Sequence, residues 1–246
     1  MFRRLFLCCA ALALAVPAMA ADGVLVAAGA GYRKPVLELL QAFTSATGIK
    51  AEASFGNMKQ VQVQAQQNPD ISVLIGDRAF LEPMQLAQTF ERLGKGQLVL
   101  VASKAHALKD LADLSLPQFQ RIAVPDRNKA VYGKAAFTCL ERSGLAAALQ
   151  GKLLEVSTVP QVSAYLLTEH VDAGFVNATE AQSLQGKAGS SLTIAQDCYD
   201  PIELSMAAIH GRADNAATQA LLAFIATPQA RAVIAVVNDS RGRVAR

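Results

Sequence analysis

The hydrophobic positions change period repeatedly along the chain. Val24-Leu25-Val26 is a short apolar run of the kind buried on both faces of a parallel sheet. Gly29-Ala30-Gly31 leaves room for a sharp turn with open backbone N–H groups, and Pro35 stands where a first helical residue belongs. Val36, Leu39, Leu40 and Phe43 then follow the i, i+3, i+4, i+7 spacing of one helix face, and Gly48 ends it. The alternation continues with a strand from Ala51 to Phe55 and a helix opening at Asn57 or Met58 that carries Val61, Val63 and Ala65. Ile71 to Ile75 reads as a buried strand, and Asp77 to Leu86 as partly helical, interrupted by Pro83. A β-α-β-α-β order predicts a parallel sheet with right-handed crossovers.

A turn at Gly94-Lys95-Gly96 precedes Leu98 to Ala102, an apolar strand that crosses into a second lobe. There the alternation restarts, with strands at Ile122 to Val124, Leu153 to Val156 and Ala173 to Val176, and helices at Tyr132 to Arg142 and Pro160 to Thr168. Gln185 to Ser191 reads as a loop. Leu204 to Ile209 returns the chain, and two helices follow, Asn215 to Ile225 and Pro228 to Val237, the latter capped by Thr227. One series inserted into the other predicts an α/β protein of two lobes joined by two crossings. The expected lobes are residues 21–99 with 208–246, and residues 100–207. Ligands of open α/β sheets sit at the carboxyl ends of strands, so a cleft between the lobes gathers several helix openings.

With 246 residues, 52% of them hydrophobic, the chain is long enough for a substantial core. Arg3 and Arg4, an apolar run from Leu5 to Val16 and the small-x-small site Ala18-Met19-Ala20 predict an export signal occupying residues 1–20, cleaved after Ala20. Its removal takes the 23 basic residues to 21 against 20 acidic ones, and a near-neutral chain gives no case for nucleic acid. Cys8 and Cys9 leave with the signal. Cys139 and Cys198 remain, and an oxidising compartment predicts one disulfide between them; the alternative is two separate thiols, with Cys139 packed beside Ala136 and Leu140.

The candidate chemistry is anion binding. A helix opening after Gly29-Ala30-Gly31, flanked by Arg33 and Lys34, offers unpaired N–H groups and positive charge. The rival reading of the same turn is a dinucleotide fingerprint with Gly29, Gly31 and Glu52, the basis of a nucleotide-dependent oxidoreductase. Lys34 in place of its third glycine opposes that. No nucleophile elbow, phosphate-binding loop or zinc-binding helix motif occurs, so no catalytic residues and no cofactor are assigned. His106, His170 and His210 show no metal spacing.

The ordered stretches AAGAGYRKP at 27, ASFGNMKQV at 53, PDISVLIG at 69, GKGQLVLVASK at 94, RIAVPDRNKAVYGKAAFTCL at 121, DAGFVNATEA at 172 and ATPQARAVI at 226 carry a resemblance. In order and spacing the chain is similar to the periplasmic molybdate-binding proteins, the solute receptors of ABC importers. The resemblance implies the two-lobed flytrap fold of periplasmic binding proteins, a periplasmic home, and an inner-membrane permease with a cytoplasmic ATPase as partners of a monomeric receptor. It also locates the ligand, with departures: Gly31 and Met58 stand where that family usually offers serine hydroxyls, Tyr132 and Gly133 lie in the run replacing its P-A-G-x-Y, and Asn177 replaces a tyrosine. Val159 is retained as an apolar position. A small anionic solute, different from or larger than molybdate, is expected at Gly31, Tyr32, Arg33, Asn57, Met58, Tyr132, Gly133, Val159 and Asn177. Met58 is expected as an apolar wall, with a soft metal ligand as the alternative. A ligand-free adaptor of the same fold is a further reading.

Overall fold

In the computed structural model, which describes residues 23–239, the opening apolar run becomes a central strand, β1 (Val24–Gly29), and a 3-10 turn at Ala30–Tyr32 leads into α1 (Arg33–Thr47). Val36, Leu39, Leu40 and Phe43 are the buried face of α1. Gly48 closes the helix at φ 73°, a left-handed conformation that suits glycine. Then come β2 (Ala51–Gly56), α2 (Met58–Gln67), β3 (Ile71–Asp77) and the short α3 (Arg78–Leu81), ended by a 3-10 turn through Pro83. Every residue of β3 is buried, the polar Ser72 and Asp77 along with the apolar run from Val73 to Ile75.

The chain continues as β4 (Glu91–Gly96), β5 (Leu98–Ala102), β6 (Ile122–Pro125), α4 (Val131–Arg142), α5 (Ala146–Leu149) and β7 (Leu153–Val156). It proceeds through α6 (Val159–Leu167), β8 (Ala173–Asn177), α7 (Ala178–Leu184), β9 (Ser191–Thr193), β10 (Ile202–Ala208), α8 (Ala216–Ile225) and α9 (Pro228–Asp239). The strands form two sheets, in the orders β2-β1-β3-β10-β4 and β7-β6-β8-β5-β9. The pairs β1–β2, β1–β3, β6–β7 and β6–β8 are parallel; β10 and β5 run antiparallel to their neighbours. Two mostly parallel sheets, each flanked by helices, are the two-lobed arrangement of a periplasmic binding protein.

The lobe boundaries differ from those read in the sequence. Leu98 already pairs with Asn177 in the second sheet, so the first crossing is Gln97 alone. The return comes earlier than 208, because Ile202 pairs with Gly96 and β10 belongs to the first sheet from its first residue. Gly94-Lys95-Gly96, read as a turn, ends an edge strand, Glu91–Gly96: its glycines and charges hide the pattern, and only Leu93 and Gly96 are buried. Ser191, placed in a loop, opens β9. The two crossings touch through buried Tyr199, whose hydroxyl accepts from Leu98 N at 3.0 Å and from Gln97 Nε2 at 2.9 Å. Beside them Cys139 of α4 and Cys198 form a disulfide, S–S 1.99 Å, tying α4 to the returning chain. The export signal expected at residues 1–20 lies outside the described residues.

Candidate functional site at the lobe interface

Four helix openings meet between the lobes. The 3-10 turn leading into α1 brings Gly29, Gly31 and Tyr32, the opening of α2 brings Asn57 and Met58, that of α4 brings Val131 and Tyr132, and that of α6 brings Thr158 and Val159. None of the four helices has an acidic residue in its first turn. Only α2 is closed by a side chain, through a reciprocal capping box between Asn57 and Gln60. The openings of α1, α4 and α6 have no side-chain cap and their positive dipole ends face one point, while the 3-10 turn pairs the first N–H of α1, that of Arg33, with Ala30 O.

The space they enclose is small. Its volume is about 20 Å³, room for roughly one water molecule. Tyr32 and Tyr132 fill it, their ring centroids 5.9 Å apart and both rings buried. Among the described residues no group meets hydrogen-bond geometry with Tyr32 Oη, which leaves a buried hydroxyl unsatisfied. Burial pushes the Tyr32 phenol well above its usual range, with the neighbouring Tyr132 and Asp77 adding to it. Burial also raises Tyr132, against opposing contacts with Tyr32 and Asn177. Both phenols therefore stay neutral donors at physiological pH.

The lobes are fastened to each other around this point. Met58 N, the first N–H of α2, donates to Lys129 O at 2.7 Å across the seam. Asn57 Nδ2 donates to Ser157 Oγ at 3.1 Å, and Asn177 Nδ2 to Gly31 O at 2.6 Å. Lys34 reaches over to Glu180 at 3.4 Å and to Ser183 Oγ. Polar groups expected to meet a ligand thus already have partners on the opposite lobe.

The residues expected at the site divide accordingly. Gly31, Tyr32, Asn57, Met58, Tyr132 and Val159 come together around the cavity, with Asn177 beside them on the Gly31 carbonyl. Met58 is there as backbone and wall: its side chain is buried so tightly that a Cβ on Gly76 would lie 2.5 Å from its Cε and one on Gly29 would lie 3.2 Å from its Sδ. Among the described residues no group of three or more His, Cys, Asp or Glu could join its sulfur around a metal. Arg33 is not brought in; its guanidinium lies over the Phe55 ring at 4.3 Å, a cation–π contact on the outside of the first lobe. Gly133 faces away, pressed on the chain before α4, where a Cβ would sit 2.3 Å from the carbonyl oxygens of Pro125 and Asp126.

The dinucleotide reading loses its acid and its space. Glu52 pairs with Lys50 at 2.7 Å on an exposed strand, and a one-water cavity at the glycine turn holds no pyrophosphate. The sequence pattern does not point to Thr158, Lys129, Ser157 or Glu180 as members of the site. Only Thr158, before Val159-Pro160, and Glu180, three residues after the cap Asn177, carry a local signal, that of a helix start.

Comparison with known proteins agrees with this architecture. The family described as bacterial extracellular solute-binding protein matches residues 24–235. The molybdate-binding protein ModA of Azotobacter vinelandii is 30% identical over 230 residues, covering 90% of each chain. That of Rhodobacter capsulatus is 27% identical over 227 residues, covering 90% of this chain and 89% of its own. The solved periplasmic molybdate-binding protein of Azotobacter vinelandii superposes with a TM-score of 0.78 at 21% identity, over 91% of this chain and 99% of that one. A family match over nearly the whole described chain, carried on the same two-lobed fold, shows that this protein belongs to the bacterial extracellular solute-binding proteins.

Proposed function

We propose that the protein is the periplasmic receptor of an ABC importer and binds a small anion, without transforming it, between the four helix openings. The observation that supports this most is their convergence: three uncapped N-termini and no first-turn acid at one point between two lobes. The molybdate-binding relatives point the same way. In this reading binding is an exchange of partners. The lobes part, the Tyr32–Tyr132 contact opens, and the anion takes hydrogen bonds from Tyr32 Oη, Tyr132 Oη, Met58 N–H and the Asn57 and Asn177 amides. The closed lobes then present the loaded receptor to the inner-membrane permease and its cytoplasmic ATPase, and the receptor works as a monomer.

Gly31 and Met58 supply no hydroxyl, and each charge-assisted hydrogen bond is worth about 1.5–3 kcal/mol. Molybdate is therefore expected to bind roughly 10²–10⁴-fold more weakly than at a site with two serines. Calorimetry of the mature protein against molybdate, tungstate, sulfate, phosphate, phosphonates and small carboxylates tests this. Saturable binding of one anion supports the reading, tight molybdate binding overturns the altered specificity, and silence across the series overturns the anion reading. One observation favours a second reading: the cavity is nearly full, and the Met58 N–H and the Asn57 and Asn177 amides are paired across the seam without a ligand, as in an adaptor that closes on its own and meets a protein partner. Silence toward every solute would favour it.

A further inference from the structure

Outside the tyrosine-filled pocket, the same seam carries an open groove of about 330 Å³, within the range of small-molecule sites. Phe80 of α3 forms the wall from the first lobe; Arg127, Asn128, Lys134 and Phe137 form the wall from the second. Helix α4 serves both spaces, lining the inner one with Tyr132 and the outer one, two residues later, with Lys134.

The two cations of the groove are in different states. Arg127 is engaged, with its guanidinium 3.9 Å from the Phe137 ring centroid and 3.4 Å from Glu141 Oε1. Lys134 has no carboxylate within 4.0 Å among the described residues, and its Nζ lies 5.7 Å from the Phe80 ring centroid. The acid that feels its charge, Asp77, is buried in β3 and accepts a hydrogen bond from Glu203 N at 3.0 Å. The groove, which Glu141 also lines, thus holds one positive charge without an acid partner, beside the half-buried Phe80 ring and the Arg127 guanidinium that covers the buried Phe137. A bare oxyanion would use the charge alone; a carboxylate on an aromatic body uses the charge and also covers the half-buried Phe80 ring and the Arg127 guanidinium plane.

We propose that this groove is a second ligand site, for a small aromatic carboxylate, with its carboxylate on Lys134 and its ring against Phe80 and the Arg127 guanidinium. Because the walls come from both lobes, occupancy favours the closed arrangement. The site stands apart from the inner pocket and does not depend on the function proposed for it.

Equilibrium dialysis of labelled benzoate against the mature protein tests the site, with acetate as the ringless control. Benzoate is expected to bind at least about tenfold more tightly than acetate, and Lys134→Gln, at an exposed position, to weaken it by about tenfold or more. Phe80→Leu is expected to weaken it severalfold, and Tyr32→Phe to leave it unchanged. Equal binding by the wild type and K134Q, equal binding of acetate, loss in Y32F, or no benzoate retained at about 10 mM each overturns the site. An oxyanion titration on the same preparation separates the two sites. Benzoate failure with oxyanion binding intact removes the groove alone, and the converse removes the inner pocket alone.

Discussion

The inner pocket and the outer groove straddle the same two lobes and share α4, yet their polar groups are in opposite conditions. Inside, Met58 N–H, Asn57 and Asn177 are spent on the other lobe, and among the described residues Tyr32 Oη is the buried side-chain group left without a partner. Outside, Lys134 has no acid partner among the described residues, and the half-buried Phe80 ring beside it borders open space. Burial makes the difference. A buried donor must have a partner and takes the nearest one, whereas an exposed ammonium is satisfied by water until something better arrives. A ligand for the inner pocket must therefore compete with the protein itself, and one for the groove competes only with solvent.

The shared helix allows the largest perturbation. Gly133→Ala places a methyl group where carbonyl oxygens stand at 2.3 Å, so α4 must move and take Tyr132 and Lys134 with it. A loss of about 3 kcal/mol is expected, seen as a fall of roughly 6–12 °C in Tm, with anion and benzoate binding both impaired. Preservation of one site in a destabilised G133A protein would show that the helix does not couple them.

A smaller change separates the two regions. A Cβ on Gly31 would meet Tyr132 and Val159 at 3.5 Å, an ordinary contact, so Gly31→Ser adds a hydroxyl without displacing the wall. Oxyanion affinity is expected to rise by about tenfold or more, measured by calorimetry, while benzoate binding stays as it was. An unchanged oxyanion affinity would mean that the Gly31 turn does not face the ligand.

The smallest effect comes from Asp77, which lies between the regions. Burial raises its carboxyl, opposed by the N–H groups of Glu203 and Ala79 and by Lys134. A carboxyl raised in the folded state binds more protons there than in the unfolded chain. Its contribution is most favourable below the unfolded pKa and is lost as pH rises through the folded one. Asp77→Asn keeps an acceptor for Glu203 N–H and removes that loss. At pH 7 its Tm is expected to be about 1–2 °C above wild type, with the gap closing at about pH 3. Thermal unfolding across that range checks the sign, and a D77N protein less stable at pH 7 would reverse it.

The sequence shows the fold more clearly than the site, for a physical reason. Strand β3 and the buried face of α1 are patterns of neighbours, and Asn57 ahead of α2 is a local cap, so all three are legible in a few consecutive residues. Strand β4 escapes because an edge strand with two glycines and three charges has little apolar alternation to show. The fasteners across the seam join residues about 70 to 150 positions apart, such as Met58 with Lys129 and Asn177 with Gly31. No period in the sequence records such a meeting. Arg33 and Lys34 illustrate the limit: adjacent in the chain and alike in charge, they end on Phe55 and on Glu180.

One fastener has a bearing on how such a receptor diversifies. The bond from Met58 N to Lys129 O involves main-chain atoms alone. Any residue except proline at position 58 carries the same donor, so selection can change the side chains at both ends, within what the packed wall around Met58 admits, while the attachment of one half to the other is inherited unchanged.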